Sequence, residues 1–389
     1  MNTQNTPVHI KLWHRDFWML VVANLLLTMT VYVLIPVFPL WLMQTENFTP
    51  LETGLSMGAF GLGLYLLGSQ CSWLVQRFRR NVVCMWAIVA IAADVMLLWY
   101  IDGLRSEFVE FWVILLHRLT LGAAFGLAQM VLSSTLIIDT CESFQRTEAN
   151  HSAAWFSRFA LSLGPLAGGV VYEMYGFDKV LWVVFACALL SIIMIQHVHF
   201  PFRAPEEGVQ VASLDRFLLP EGFVLFVNLF MVSVVMGLLL SLPLGVLFYS
   251  LMMTGFLLAL MAQRFVFRDA ELKSEVICGL ILMIASLLIL LSYPKSPVAP
   301  VLIGLAMGII SSRFLLFFIK LSRHCKRGTS QSTFFLSWET GLAVGLCLGF
   351  AAFYNKRDNL LYCCLALTIV ALLMYHLYTH AWFIRNKNR

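Results

Sequence analysis

Apolar stretches of about twenty residues follow one another along almost the whole chain, separated by short breaks that hold the charges, prolines and turn residues. A bilayer core of ~30 Å is crossed by a helix of about 20 apolar residues. Inside it every backbone N–H and C=O must be bonded within the segment, so such runs fold as helices. The breaks place six of them at 17–43, 51–74, 82–101, 109–133, 153–173 and 179–198. Six more follow at 222–242, 244–264, 275–293, 298–319, 332–353 and 359–383. The seventh and eighth form one apolar run interrupted only by Ser241-Leu242-Pro243-Leu244-Gly245. A single helix of that length would be about twice the hydrocarbon thickness at ~1.5 Å per residue, which predicts a tight hairpin at Pro243. With 60% hydrophobic and 12% charged residues, the chain lacks the polar surface that coats a water-soluble globule. The expected fold is an all-α integral membrane protein with twelve transmembrane helices in two pseudo-symmetric six-helix bundles.

The basic residues fix an expected orientation. If both termini are cytoplasmic, the inner segments hold Arg77, Arg79, Arg80, Arg203, Arg268, Lys320, Arg323, Lys326, Arg327, Arg385 and Arg389, among others. The outer loops then hold only Arg105, Lys179, Lys295, Lys356 and Arg357. This is the positive-inside pattern of a protein in the inner, cytoplasmic membrane. The start, MNTQNTPVHIKLWHRD, has no small-residue cleavage site, so the first helix is expected to be retained. The longest polar break, His199 to Gly222, contains three prolines. It reads as a linker and suggests an N-terminal bundle over 1–199, a cytoplasmic linker over 200–221 and a C-terminal bundle over 222–389.

The nine cysteines show no paired ligand spacing, and most sit in apolar runs, where a thiol acts as a small hydrophobe. HExxH does not occur, and no Gly-rich phosphate loop precedes a lysine. An enzyme and a nucleotide-driven pump are therefore disfavoured. No cofactor, metal or nucleic-acid partner is expected; the partners are the bilayer, a small solute and protons, with the chain acting as a monomer.

The two halves echo each other. Placing Arg146 on Arg327 makes Leu161/Leu342, Gly164/Gly345 and Gly168/Gly349 coincide, with Asn150/Gln331 and Ser152/Thr333 similar. Asn24-Leu25 matches Asn228-Leu229 in the first helix of each half. Repeats of this kind suit a transporter in which one half rocks against the other.

Three local patterns then carry a resemblance to a known family. Helix five holds Gly164-Pro165-Leu166-Ala167-Gly168-Gly169, similar to a GPxxGG motif. Helix four holds Arg118, Gly122 and Gly126 in an RxxxGxxxG spacing. The loop from Ser72 to Arg80 looks like a degraded GxxxDRxGRR, with Arg77 and Arg80 in place but Gln76 where that pattern has aspartate and Ser72 where it has its first glycine. Together they resemble the major facilitator superfamily. The resemblance implies alternating access between two bundles, an antiporter association for the glycine motif and a proton-coupling link for Arg118. It also implies a gating role for the loop, whose usual salt bridge is put in question by Gln76. The glycines and Pro165 are expected to permit close approach and a bend where the halves meet.

An ionisable residue at depth costs about 2.5–3.5 kcal/mol to insert and is a functional candidate by default. Arg118 lies nine residues into helix four, roughly 14 Å deep at 1.5 Å per residue. It is read either as an anion-binding or coupling residue, or as a partner for a carbonyl or Asp94. Its neighbour His117 reads as a packed core histidine. Arg158 and Glu339 fall at the same position of the repeat. They suit the two ends of a dipolar solute, or two gate residues. Glu339 is the first candidate proton carrier and Asp94 the second. Arg313 is expected to snorkel from the end of helix ten. Asn24 and Asn228 suggest a symmetric cavity lining or interhelical hydrogen bonds. Tyr32, Pro36 and Pro39 point to a kinked first helix facing the cavity. The functional expectation is a secondary active transporter for a small organic solute, proton-coupled and running in export. Import of a small polar metabolite and lipid flipping are the alternatives.

Overall fold

The structure, a computed structural model, describes residues 11–103, 110–200, 208, 210–267, 271–323 and 326–387. Arg105, Arg203, Arg268, Arg389 and Cys325, together with 201–207 of the expected linker, lie outside the described residues.

All regular structure among the described residues is helical, and the spans succeed one another in the expected order. Span one is α1 (Arg15–Tyr32) followed by α2 (Phe38–Gln44), and span two is α3 (Pro50–Leu66) with the short α4 (Cys71–Arg77) after it. Span three is α5 (Arg80–Gly103). Span four joins α6 (Phe111–Val131) to α7 (Ile137–Asp139) through a π-helical turn at Leu132–Leu136. Spans five and six are α8 (Arg146–Tyr175) and α9 (Phe177–Gln196). The second set comprises α10 (Phe223–Leu240), α11 (Val246–Phe265), α12 (Leu272–Ser292), α13 (Val298–Leu321) and α14 (Arg327–Phe353). Span twelve runs through α15 (Arg357–Met374), a π-helical turn at Tyr375–Thr379 and α16 (His380–Asn386).

Nine of the described helices meet a bilayer crossing in both length and hydropathy. Spans one, two and five fall short for local reasons. Span one is broken over 33–37, where Pro36 lacks a backbone donor and Pro39 starts α2. The 17-residue α3 is started sharply by a capping box, Thr49 with Glu52, and ends at a turn over 67–70. The expected start of span five at residue 153 is corrected to Arg146, because Glu148 and Asn150 lie within the first turns of α8 rather than in a loop. The break between spans seven and eight falls where expected, α10 ending at Leu240 and α11 starting at Val246.

Small residues set the helix contacts, as they do where lipid supplies no hydrophobic drive for association. A Cβ on Gly122 would meet the Phe60 carbonyl, and one on Gly126 would come 2.9 Å from the Leu64 oxygen, so span four lies against span two. A Cβ on Gly164 would lie 2.7 Å from Tyr32 Cβ, and one on Gly168 would strike the Val33 carbonyl. These glycines therefore seat span five on the break in span one, inside the first six spans. Their expected place where the halves meet is corrected; of the motif's glycines, Gly169 alone faces a later span, 3.4 Å from Val246 Cγ2. The repeat holds in the packing: Gly345, the counterpart of Gly164, meets Val234 and Gly237 of α10.

Spans two and eleven meet at the end away from the termini, where Cβ atoms on Gly54, Gly58 and Gly61 would press on Cys347, Ala351 and Ala343. At the termini end, Ser72 Oγ donates to Asp215 Oδ2 at 3.1 Å, and Thr329 Oγ1 donates to Asp215 Oδ1 at 3.1 Å. Asp215 thus ties the loop after span two to the start of span eleven. Arg80 makes its ion pair with Asp139 inside the first six spans, while Arg77 is exposed.

Candidate functional site

Four helical stripes converge on one cavity. Span one supplies Asn24, Thr28 and Tyr32, and span four supplies Gln129, Ser133 and Ile137, each at i, i+4 and i+8. Span five contributes Asn150, Ala153, Ala154, Ser157 and Arg158, and span eleven contributes Gln331, Phe334, Phe335, Trp338 and Glu339. Both of these sets follow the i, i+3, i+4, i+7, i+8 rhythm of one helix face. They are also the same five positions of the internal repeat, so the pseudo-symmetry of the sequence builds opposite walls of one site. The π-helical turn of span four passes through the lining at Ser133, the kind of irregularity that favours functional sites.

A hydrogen-bonded layer fixes the first wall. Asn24 Nδ2 donates to the Ala153 carbonyl at 3.0 Å and to Ser157 Oγ at 2.7 Å, and Gln129 Nε2 donates to Asn24 Oδ1 at 2.7 Å. A second layer crosses the cavity. Trp338 Nε1 donates to the Tyr32 hydroxyl at 3.1 Å, and that hydroxyl donates to Glu339 Oε1 at 2.6 Å. The glycine motif of span five matters here, because Gly164 and Gly168 let the broken end of α1 nest and so aim Tyr32 at Glu339. Arg158 is 4% exposed, its guanidinium carbon 4.8 Å from the centre of the Trp155 ring. None of its three side-chain nitrogens has a hydrogen-bond partner.

Asn24, Tyr32, Arg158 and Glu339 are thus brought together as expected. Three other candidates are not. Arg118 is buried between the rings of Phe38 and Phe60, 5.1 Å from each centroid, and does not line the cavity. Asp94 does not line it either; its carboxylate lies 2.9 Å from His117 Nδ1 and accepts from Thr120 Oγ1 at 2.9 Å. Asn228 is fully buried and donates to the Ala371 carbonyl at 3.1 Å, joining spans seven and twelve instead of facing a solute. Span seven therefore breaks the symmetry that Asn24 and Asn228 suggest. Arg313 does not snorkel: Arg313 Nε meets Glu275 Oε2 at 2.5 Å, and Glu275 is 1% exposed.

Sequence reasoning gave no role to Gln129, Ser157, Gln331, Phe334 or Trp338. Extending the Arg146/Arg327 alignment along one helix face would have found the last four. Gln129 has no such signal, since its position follows from how span four packs.

The cavity encloses about 50 Å3, room for a few waters, so a solute enters only when the two walls part. One guanidinium, one carboxyl group and several amides can hold and orient a small polar solute. Among the described residues no three His, Cys, Asp or Glu side chains gather as a metal site would require.

Solved structures share this architecture. A bacterial homologue of the iron transporter ferroportin, in an outward-facing state, superposes with a TM-score of 0.64 at 15% identity, covering 95% of this chain and 99% of that one. The human organic anion transporter MFSD10 gives 0.65 at 14% identity, with coverage of 93% and 99%. The nucleoside transporter NupG gives 0.61 at 11% identity, with coverage of 96% and 100%. No curated protein sequence matches significantly. At these identities the likeness is one of fold. The sequence profile of the Major Facilitator Superfamily, however, matches residues 20–346. The chain is a multi-pass membrane transporter that belongs to the Major Facilitator Superfamily.

Proposed function

We propose that the chain is a secondary active transporter that moves a small organic solute by alternating access through this cavity, with Glu339 carrying a coupled proton. The observation that carries the reading is the Tyr32–Glu339 hydrogen bond, which links span one to span eleven across the cavity beside an unpaired Arg158. A carboxylate accepts strongly from the phenol; a protonated carboxyl group accepts less well and adds a donor of its own. Proton binding at Glu339 therefore weakens a contact between the two walls, which couples protonation to their separation. A solute anion at Arg158 and a proton at Glu339 then act on the same closure.

In this reading residues 1–199 and 222–389 are the two moving units, and 200–221 is the linker between them. Asp215 closes the termini end and the span two–span eleven glycines close the other. The termini face the cytoplasm of a cell membrane, the chain works as a monomer and net flux is export against inward protons. The asymmetric placing of basic residues supports that orientation.

The experiment is Glu339→Gln in proteoliposomes. The variant is expected to lose uptake driven by a pH gradient while keeping solute counterflow. Infrared difference spectra between acid and neutral pH should lose one protonated-carboxyl band in the same variant. Unchanged pH-driven uptake, with the band intact, would remove Glu339 from the mechanism.

A further inference from the structure

The two walls of the cavity occupy equivalent repeat positions yet differ in chemistry. On span five the wall is small and polar and ends in Arg158; on span eleven it is aromatic, with Phe334, Phe335 and Trp338. The charged groups differ as well. Glu339 is held by the Tyr32 hydroxyl at 2.6 Å. Arg158 has a buried guanidinium with Nε, Nη1 and Nη2 all without a hydrogen-bond partner. Trp155 covers it at 4.8 Å, which satisfies the charge in part and fixes the plane while leaving the N–H edge unengaged. A guanidinium presents its donors as a flat fork that matches the two oxygens of a carboxylate. Opposite it, the Phe334 and Trp338 rings lie 6.4 Å apart at 24°, a parallel pair suited to a flat ring.

We propose that the solute class of this site is the aromatic organic monoanion: a carboxylate or similar oxyanion held by Arg158, with its ring against Phe334, Phe335 and Trp338. This rests on the reading of the cavity as the solute site. A zwitterion is disfavoured because the only acid in the lining among the described residues is already engaged by Tyr32. A cation would meet Arg158 with no second carboxylate to offset it.

The test uses the full chain in nanodiscs, titrated calorimetrically with four probes that share or approximate one ring system and differ in charge. These are 2-naphthoate, 2-naphthylmethylamine, 2-naphthalenemethanol and zwitterionic tryptophan, with empty nanodiscs subtracted. The expected result is saturable binding of 2-naphthoate about tenfold or more tighter than any of the others. Arg158→Gln should abolish that preference. Arg158→Lys should weaken binding but keep the order of the probes, and Phe334→Ala, which changes no charge, should weaken 2-naphthoate binding. Size-exclusion profiles matching the parent establish that each variant is assembled.

Equal affinity for all four probes, tighter binding of tryptophan, or an Arg158→Gln protein that is monodisperse and binds 2-naphthoate normally would each overturn the proposal. If the alcohol or the amine binds best and Trp338→Ala weakens it, the anion class falls and the cavity stands as the solute site. If no probe responds to substitution at Arg158, Phe334 or Trp338, the reading of the cavity falls with it.

Discussion

Arg158 and Glu339 occupy one repeat position, and both are buried, yet only Glu339 has a hydrogen-bond partner. Tyr32 is the residue that makes the difference. It is 2% exposed, accepts from Trp338 and donates to Glu339, so its hydroxyl is the one link in the chain that belongs to span one. Tyr32→Phe keeps the ring and its packing but leaves a buried indole N–H and a carboxylate oxygen unpaired, at a cost of about 1–3 kcal/mol. The variant is expected to assemble with a lowered Tm in detergent and to lose most transport; full activity at an unchanged Tm would show that the link is incidental. At this scale the sequence revealed which residues are chemically unusual, but not which way each one points. Arg118 and Arg158 look alike as lone arginines in apolar helices. Phe38 and Phe60, distant in sequence, enclose the first, while a cavity receives the second. Asn228 matches Asn24 in register, but span twelve supplies Ala371 as an acceptor and turns it away from any solute. Glu275 escaped notice because it sits in the first turn of α12, where an acid reads as a solvated helix end; only the approach of α13 shows it to be the partner of Arg313.

Among elements, the broken first span and the glycine face of span five form one device. Tyr32 is the last residue of α1, at the edge of the break, and Gly164 and Gly168 let span five approach close enough to hold it there. Gly164→Ala would place a methyl group 2.7 Å from Tyr32 Cβ, so span one must shift; overpacking of this kind costs about 1–3 kcal/mol. Gly169→Ala, with its nearest neighbour at 3.4 Å, is expected to be close to neutral. Thermal melting and transport measured on both variants check the contrast, and equal effects would contradict the nesting. Element positions were legible in the sequence because hydropathy and proline placement are local. The ends of spans four and five were not, since the π-helical turn carries span four on past 133 and the polar start of α8 interrupts the hydropathy by which spans are read.

For the molecule as a whole, the repeat alignment was the most informative signal, because it superposes the two faces that meet at the cavity. What it could not supply is the state of closure. Spans two and eleven are packed at the far end, and Asp215 joins Ser72 to Thr329 at the termini end. Transport requires these two closures to open in turn. Gly58 offers a way to hold one of them shut, since a Cβ there would lie 3.0 Å from Cys347 Cβ, close to the ~3.5–4.5 Å of a disulfide. The direct test places a cysteine in the cavity by Ala154→Cys and labels it with a membrane-impermeant maleimide from each face of sealed vesicles, with and without an oxidised Gly58→Cys bridge to Cys347. Alternating access through this cavity predicts labelling from both faces in the unbridged protein. It also predicts that the bridge blocks labelling from the face opposite the termini alone, and that reduction restores it. Labelling from one face only, or labelling from both faces that ignores the bridge, would contradict alternating access through this cavity.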